Sequence, residues 1–231
     1  MQENASFKHV ALSFANVGFC VLLMIGISGD WLWIEGWIFG VWIMTVSLST
    51  TLYLYRHDPG LLLERYKMPG RKSGQKPWDV FFVAGIVVAF ILWIVIIPLD
   101  ARRYHWTMAF PLWLKLLGAI FLMPSFVFLY RPFVDNTFLS PLVRAQTERK
   151  HRVITSGVYA FVRHPMYLGA VLMFFGGALL MASAYGTLVG IVITLMLAGR
   201  IVGEEHMMLQ ELEGYAEYKR KVKYRLVPFI W

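Results

Sequence analysis

The 231-residue chain has few charged residues and a single cysteine. Aspartate, glutamate, lysine and arginine together make up 16% of it, whereas ordinary soluble domains carry about 25% charged residues. Hydrophobic residues make up 58%, which is more apolar surface than a soluble core buries, so we expect the chain to lie in lipid. Because Cys20 is the only cysteine, an internal disulfide and a cysteine-based metal site are both excluded. We predict no metal site.

Long apolar segments recur along the chain. Four of them lie in its first part, at residues 10–29, 31–55, 80–98 and 111–130. The length of each segment is close to that of a membrane-spanning helix, which needs about 20 residues. A fifth, residues 166–199, holds 34 uncharged residues, and as one helix it would be about 51 Å long against a hydrocarbon core of about 30 Å. It is therefore predicted to form two short helices that turn near residues 182–186, giving an all-α, polytopic membrane protein with about six transmembrane helices.

The basic residues are distributed unevenly around these segments. The net charge is +8, which in a soluble protein would suggest nucleic acid, but in a lipid-embedded chain it marks cytoplasmic loops. With six spans, 19 of the 22 lysines and arginines fall on one side. This asymmetry predicts that both termini and residues 151–169 face the cytoplasm, and that the protein binds no nucleic acid.

A group of polar residues stands out immediately before the fifth apolar segment. Residues 151–169 read HRVITSGVYAFVRHPMYLG, and Pro165 suits the first turn of a helix, where its missing N–H costs nothing. The free backbone N–H groups of that turn, beside Arg163 and His164, would favour an anionic ligand group. On spacing alone it is equally reasonable that Arg163 and His164 only anchor a helix end to lipid head groups.

A second polar group follows the sixth predicted helix. Arg200 and Glu204 are four residues apart, so they share a helix face and would form a surface pair worth roughly 0.2–0.5 kcal/mol. Their position where a helix leaves the lipid favours a second interpretation. A guanidinium there can hold a carboxylate or a phosphate with two parallel hydrogen bonds.

These motifs resemble a known family. HRVITSGVYAFVRHPMY, then RIVGEE, then GYAEYKRKVKYRLVPFI are similar to the isoprenylcysteine carboxyl methyltransferase family and its bacterial relatives, which include phospholipid methyltransferases. The resemblance divides the chain into a four-helix membrane region, residues 1–130, and a methyltransferase-like module, residues 131–231. The glycine-rich fingerprint of soluble nucleotide-binding methyltransferases is absent, as in that family.

The resemblance implies an S-adenosylmethionine site and a lipophilic acceptor, such as a prenylated cysteine or a related isoprenoid or lipid. Arg200 would face the acceptor, and Arg200, Glu204 and His164 would form the catalytic group. A carboxylate acceptor needs no general base, whereas an amine would need one, with Glu205 or His206 as candidates. The residues implied to bind the cofactor are Gln146, His151, Arg152, Val153, Ile154, Tyr159, His164, Pro165, Met166, Tyr167 and Glu204.

Two other interpretations remain open from the sequence. VKYRLVPFIW, together with RHPMYLG, also resembles membrane sterol reductases, which bind NADPH. A non-enzymatic scaffold or a transporter would show the same apolar segments. A transporter, however, is expected to carry polar residues near the middle of the membrane, and here the polar groups lie at one face.

Overall fold

The computed structural model describes residues 6–70 and 73–231 and contains no β-strand within them. Every regular element there is helical, so the all-α prediction is confirmed. The α-helices are α1 Phe7–Ser28, α2 Ile34–His57, α3 Pro59–Arg65, α4 Pro77–Pro98, α5 Leu112–Asp135, α6 Pro165–Leu180, α7 Ala184–Glu211 and α8 Tyr215–Lys221.

Five of these helices, α1, α2, α4, α5 and α7, are long and apolar enough to cross a membrane. The sixth apolar helix, α6, has only 16 residues. Together they confirm a multi-pass membrane protein and the helical hairpin predicted near residues 182–186. Within the apolar segment both arms are short, as predicted: α6 has 16 residues, and α7 contributes residues 184–199. Helix α7 then continues without a break to Glu211, as the apolar residues at helical spacing after Arg200 predict.

The hairpin turn between α6 and α7 is fixed by a buried carboxylate. Asp100 lies in a π-helical turn, Leu99–Arg103, that follows α4, and its side chain is fully buried. It accepts hydrogen bonds from the hydroxyls of Ser183 and Thr107, at 2.6 and 2.9 Å. The Ser183 hydroxyl in turn accepts from the backbone N–H of Gly186 in the first turn of α7, so Asp100 sets where α7 begins.

The opposite end of the helix bundle carries residues 56–70, 73–79, 136–164 and 212–231, and we call it the basic end. The polar composition of the sequence 56–79, with its prolines, glycines and basic residues, predicts a loop, but the structure places the short helix α3 within the described part of it. The Asp58 carboxylate accepts a hydrogen bond from the backbone N–H of Leu61 at 2.9 Å, and Pro59 occupies the first helical position. An acidic cap followed by proline is a helix-start signal, and hydropathy alone does not detect it.

The closest helix packing joins α5 to α6. Gly118 of α5 lies against the backbone of Gly176 and Leu180 in α6. The boundary predicted between residues 130 and 131 falls inside α5, whose residues on either side of it contact α6 and the basic end. The division into two units at this position stays a prediction.

Gly118→Ala is expected to destabilise the protein because a Cβ atom has no room at this position. An ideal Cβ there would lie 2.6 Å from the carbonyl oxygen of Gly176, and overpacking a tight contact costs about 1–3 kcal/mol. Gly26→Ala in α1 is the matched control, since no neighbouring atom lies within 4 Å of its Cβ position and alanine favours a helix by up to about 1 kcal/mol. Unfolding by sodium dodecyl sulfate, followed by circular dichroism, measures both. Equal stabilities of the two variants would contradict the close α5–α6 contact.

Candidate active site

A cavity opens at the basic end, enclosed by three stretches of chain. These are the segment that follows α5, the motif segment that leads into α6, and the carboxyl-terminal half of α7 with α8. The cavity encloses about 790 Å³ of empty space, including its open mouth.

Most of the residues expected to bind a cofactor line this cavity. Gln146 does not, because it is fully buried, where it donates to the carbonyl of Phe138 at 2.6 Å and accepts from Arg149 at 2.8 Å. It thus shapes the loop behind the wall. The predicted residues on the wall are His151, Arg152, Val153, Ile154, Tyr159, His164, Pro165, Met166, Tyr167 and Glu204.

The back of the cavity is formed by aromatic and apolar side chains. Tyr159, Tyr215 and Tyr218 form one buried cluster, and the Tyr218 hydroxyl donates to the carbonyl of Tyr159 at 2.8 Å. Met208 and Leu212 pack against the same cluster. Their helical spacing in the sequence indicated an apolar face, and the structure turns that face toward the motif segment.

The start of α6 is tied to the carboxyl-terminal tail. Helix α6 begins at Pro165, as predicted. The backbone N–H groups of Arg163 and His164 donate to the carbonyls of Tyr224 and Arg225, at 3.0 and 2.9 Å. The tail therefore holds the motif segment in place and supplies part of the structure that closes the site.

Arg163 is engaged by protein groups and does not point freely toward a ligand. Its Nε donates to the buried carboxylate of Glu205 at 2.6 Å, and its Nη1 donates to the carbonyls of Val222 and Lys223. Arg225 Nε lies 3.1 Å from the same carboxylate. Two guanidinium groups thus hold Glu205 as an anion, away from the cavity wall, and this geometry does not support its use as a base.

Glu204 is the one carboxylate among the described residues that line the cavity. It accepts a hydrogen bond from the Tyr167 hydroxyl at 2.8 Å. The Tyr167 ring stacks on the His164 ring with their centroids 5.6 Å apart. A carboxylate beside aromatic faces attracts a cation, so this part of the wall suits a positively charged ligand group.

Arg200 lies behind the wall and pairs with a residue that the sequence did not reveal. Its Nε donates to Asp79 Oδ1 at 2.8 Å, and its Nη2 donates to the carbonyl of Pro141 at 2.6 Å. Asp79 is fully buried and also accepts from the backbone N–H of Val143 at 2.9 Å. Arg200 therefore pairs with Asp79, not with Glu204, and its guanidinium faces the Tyr167 ring from 5.9 Å.

A second buried ion pair, also unpredicted, supports the loop that follows α5. Arg144 Nε and Nη2 each donate to the Glu64 carboxylate at 2.9 Å, in the bidentate geometry typical of arginine. Burial would raise the pKa of Glu64, but hydrogen bonds from Lys67 and Arg144 outweigh it and lower that pKa. Helix α3 is thereby linked to the cavity wall, which includes Arg144.

Three polar atoms of wall residues have no hydrogen-bond partner within the described part of the chain. His164 Nε2, which lies 3.4 Å from the Glu205 carboxylate, is one of them. The other two are His151 Nδ1 and the Tyr215 hydroxyl, and buried polar groups normally find a hydrogen-bond partner. Burial and the nearby Arg149 lower the pKa of His151, so its imidazole is neutral at pH 7 and can accept or donate. Both atoms fit a ligand with polar edges. The described residues include no group of three histidine, cysteine or acidic side chains arranged to hold a metal.

Comparison with known proteins identifies similar chains. A family model described as phospholipid methyltransferase matches residues 106–214. Protein-S-isoprenylcysteine O-methyltransferase B of Arabidopsis thaliana is 28% identical over 146 residues, 62% of this chain and 70% of that protein. Protein-S-isoprenylcysteine O-methyltransferase of Schizosaccharomyces pombe is 31% identical over 85 residues, 36% of either chain.

A solved structure shares the fold. It is that of the eukaryotic intramembrane Ras methyltransferase, an isoprenylcysteine carboxyl methyltransferase. The TM-score is 0.55 at 22% sequence identity, over 100% of this chain and 79% of that one. The similarity therefore extends through the amino-terminal helices as well as the motif region.

Proposed function

We propose, from the premise that this chain is a membrane methyltransferase of the isoprenylcysteine carboxyl methyltransferase family, that its cavity binds S-adenosylmethionine and that the methyl acceptor is a lipophilic carboxylate. The observation that carries this proposal is Glu204, an acidic side chain on a wall otherwise made of aromatic, apolar and basic groups. The relatives are named as O-methyltransferases of isoprenylcysteine, and the acceptor class proposed here follows from them.

The wall residues have distinct roles in this proposal. Glu204, held by Tyr167, binds the positively charged part of the cofactor. His151 Nδ1 and the Tyr215 hydroxyl, two of the three wall atoms without partners in the described structure, bind its polar edges, while Val153, Ile154 and the tyrosine cluster contact its ring system. Gln146 acts by shaping the loop behind this wall.

The chemistry needs few groups. S-adenosylmethionine supplies a methyl group on a positively charged sulfur. Glu204 and Tyr167 would hold the charged part of this cofactor, which would supply its methyl group to an acceptor carboxylate and leave as the neutral thioether, so that no side chain would have to accept or donate a proton. The protein's task is to align the two reactants and exclude water, which accounts for about 7–11 kcal/mol of such barriers. His164, whose ring stacks on Tyr167, fixes that alignment.

Arg200 acts on the acceptor side in this proposal without contacting the acceptor. Because its guanidinium is already paired with Asp79, it positions the Pro141 carbonyl and the Tyr167 ring next to the acceptor. It would exchange one of these partners if it bound the acceptor carboxylate directly.

The orientation is part of the proposal. The excess of lysine and arginine at the basic end supports a cytoplasmic location for both termini and for the cavity, by the positive-inside rule. A soluble cofactor then enters from the cytoplasm and a lipophilic acceptor from the membrane. A bacterial inner membrane is the expected host. Residues 131–231 supply most of the cavity wall, and residues 1–130 serve as its membrane scaffold.

Calorimetry on the detergent-purified protein tests this function. Titration with S-adenosylmethionine is expected to give one site per chain, and titration with NADPH is expected to give none. The matched control is S-adenosylhomocysteine, which has the same adenosine and amino acid parts without the positive sulfur. Binding of NADPH alone would contradict the methyltransferase proposal and support a reductase. Binding of neither compound would support a non-enzymatic scaffold.

A further inference from the structure

A second cavity lies between the amino-terminal hairpin, α1 and α2, and the hairpin-like pair α5 and α6. Helix α3 covers it at the basic end. It encloses about 1,020 Å³ of empty space, again including its mouth. The polar residues on its wall are Ser13, Asn16, Ser47, Thr50, Thr51 and Arg65, an unusual set for a space between membrane helices.

Arg65 brings a positive charge to this cavity. Its guanidinium stacks over the Phe133 ring at 4.4 Å from the centroid, and no carboxylate in the described ranges lies within 4.0 Å of it, in contrast to Arg144 and Arg163. The Arg65 side chain is exposed at the cavity, so an anion at this position receives charge-assisted hydrogen bonds from a guanidinium that no carboxylate occupies.

A second polar group in the cavity also lacks a partner. The Thr50 side chain is 7% exposed, and its hydroxyl makes no hydrogen bond within the described structure. The wall hydroxyl of Ser13, by comparison, is bonded to the Tyr66 hydroxyl at 2.9 Å. Thr50 is thus a hydrogen-bond donor without a partner in the described structure, on the wall of the same cavity as Arg65.

The cavity continues away from the basic end into an apolar space. This adjoining cavity encloses about 680 Å³, and the two share Asn16, Val17, Ile43 and Met173 on their walls. Its own lining is Cys20, Val21, Met24, Phe90, Trp93 and Ile94. The combined space is therefore amphipathic, with a cation at the end near the head groups and apolar side chains deeper in the bundle.

We infer that this space is a binding site for an anionic membrane lipid, whose head group is held by Arg65 and Thr50 and whose chain lies along the apolar extension. The site stands on the packing of α1, α2, α3, α5 and α6, and does not depend on the methyl-transfer chemistry. Met166 lines both this cavity and the first one, so the bound lipid would lie directly behind the wall of the candidate active site.

Native mass spectrometry of the cofactor-free protein, released from detergent micelles, tests the site. The probes are palmitate against methyl palmitate, and phosphatidylglycerol against phosphatidylcholine. At least one anion is expected to bind about tenfold more tightly than its neutral counterpart, the effect of one hydrogen bond to a charged group. A preference for palmitate alone identifies a single-chain carboxylate as the ligand, and a preference for phosphatidylglycerol identifies a phospholipid.

Substitutions test whether the preference for anionic over neutral lipids depends on this cavity. Arg65→Gln should abolish that preference, and Arg65→Lys should keep most of it. Arg56→Gln is the matched control, because Arg56 is an exposed arginine at the same end of the bundle and is not on the cavity wall. Ser47→Leu fills the cavity without a change in charge and should weaken lipid binding even if Arg65→Gln fails to fold.

The outcomes separate this site from the proposed function. Equal binding of anionic and neutral lipids, or an equal loss in Arg56→Gln and Arg65→Gln, would overturn the site. A failure of the protein to bind S-adenosylmethionine would leave the site standing and would refute only the methyltransferase proposal.

Discussion

Glu204→Gln is expected to weaken S-adenosylmethionine binding by about 10–100-fold, the loss that follows when a hydrogen bond to a charged group becomes neutral. The substitution keeps the shape of the side chain and the hydrogen bond from the Tyr167 hydroxyl, but it removes the negative charge from the cavity wall. Titration calorimetry of the variant and the parent protein measures the change.

The matched control is Glu217→Gln, which removes one carboxylate from exposed α8, where Glu217 pairs only with Lys221 among described residues. That variant should bind the cofactor with unchanged affinity. Binding of S-adenosylhomocysteine should depend less on Glu204 than binding of S-adenosylmethionine, because it lacks the positive sulfur. An unchanged dissociation constant in Glu204→Gln would show that the carboxylate does not contact the cofactor.

The parts of the fold that hydropathy controls were predictable. Apolar length predicted the spans, and the 34-residue segment predicted the α6–α7 hairpin because one helix of that length exceeds the bilayer. Pro165 predicted the start of α6. The charged sequence after Arg200 keeps apolar residues at helical spacing, which predicts that the last helix continues beyond the apolar segment, and α7 does continue to Glu211.

The interior partners of the polar residues could not be predicted in the same way. Arg200 and Glu204 were expected to form a local pair because they are four residues apart, yet Arg200 pairs with Asp79, 121 residues earlier in the chain. Local spacing carries no information on such long-range pairs. Gln146 illustrates the same point, since its motif position indicated a ligand contact while the loop around Phe138 encloses its amide.

Arg65 was counted in the sequence as one more basic residue of a cytoplasmic loop. Its position over Phe133, facing a membrane cavity, follows from the folding of α3 back onto α5. The cap at Asp58 that starts α3 is visible in the sequence, but the helix it faces is not. For the same reason the charge count, which predicts only the side of the membrane, could not describe the surroundings of this residue.

Asp79→Ala is expected to lower the free energy of unfolding by about 3–5 kcal/mol, because removal of one partner leaves a buried charge uncompensated. The fully buried Asp79 carboxylate holds Arg200, Gln75 and the Val143 backbone together. Glu211→Ala is the matched control, since its ion pair with Lys76 at the same end is exposed to solvent and such pairs contribute about 0–1 kcal/mol.

The second substitution, Arg200→Met, separates a structural role of this pair from a role in acceptor binding. In the double variant with Asp79→Ala, the buried charge is gone as well, so we expect recovery of a large part of the stability lost in Asp79→Ala alone. Denaturation by sodium dodecyl sulfate, followed by circular dichroism, measures the stability of the parent protein, Asp79→Ala, Glu211→Ala and the double variant. Recovered stability without recovered methyl transfer would assign Arg200 to the acceptor side of the site. A loss in Asp79→Ala no larger than that in Glu211→Ala would show that the pair does not hold the cavity wall together.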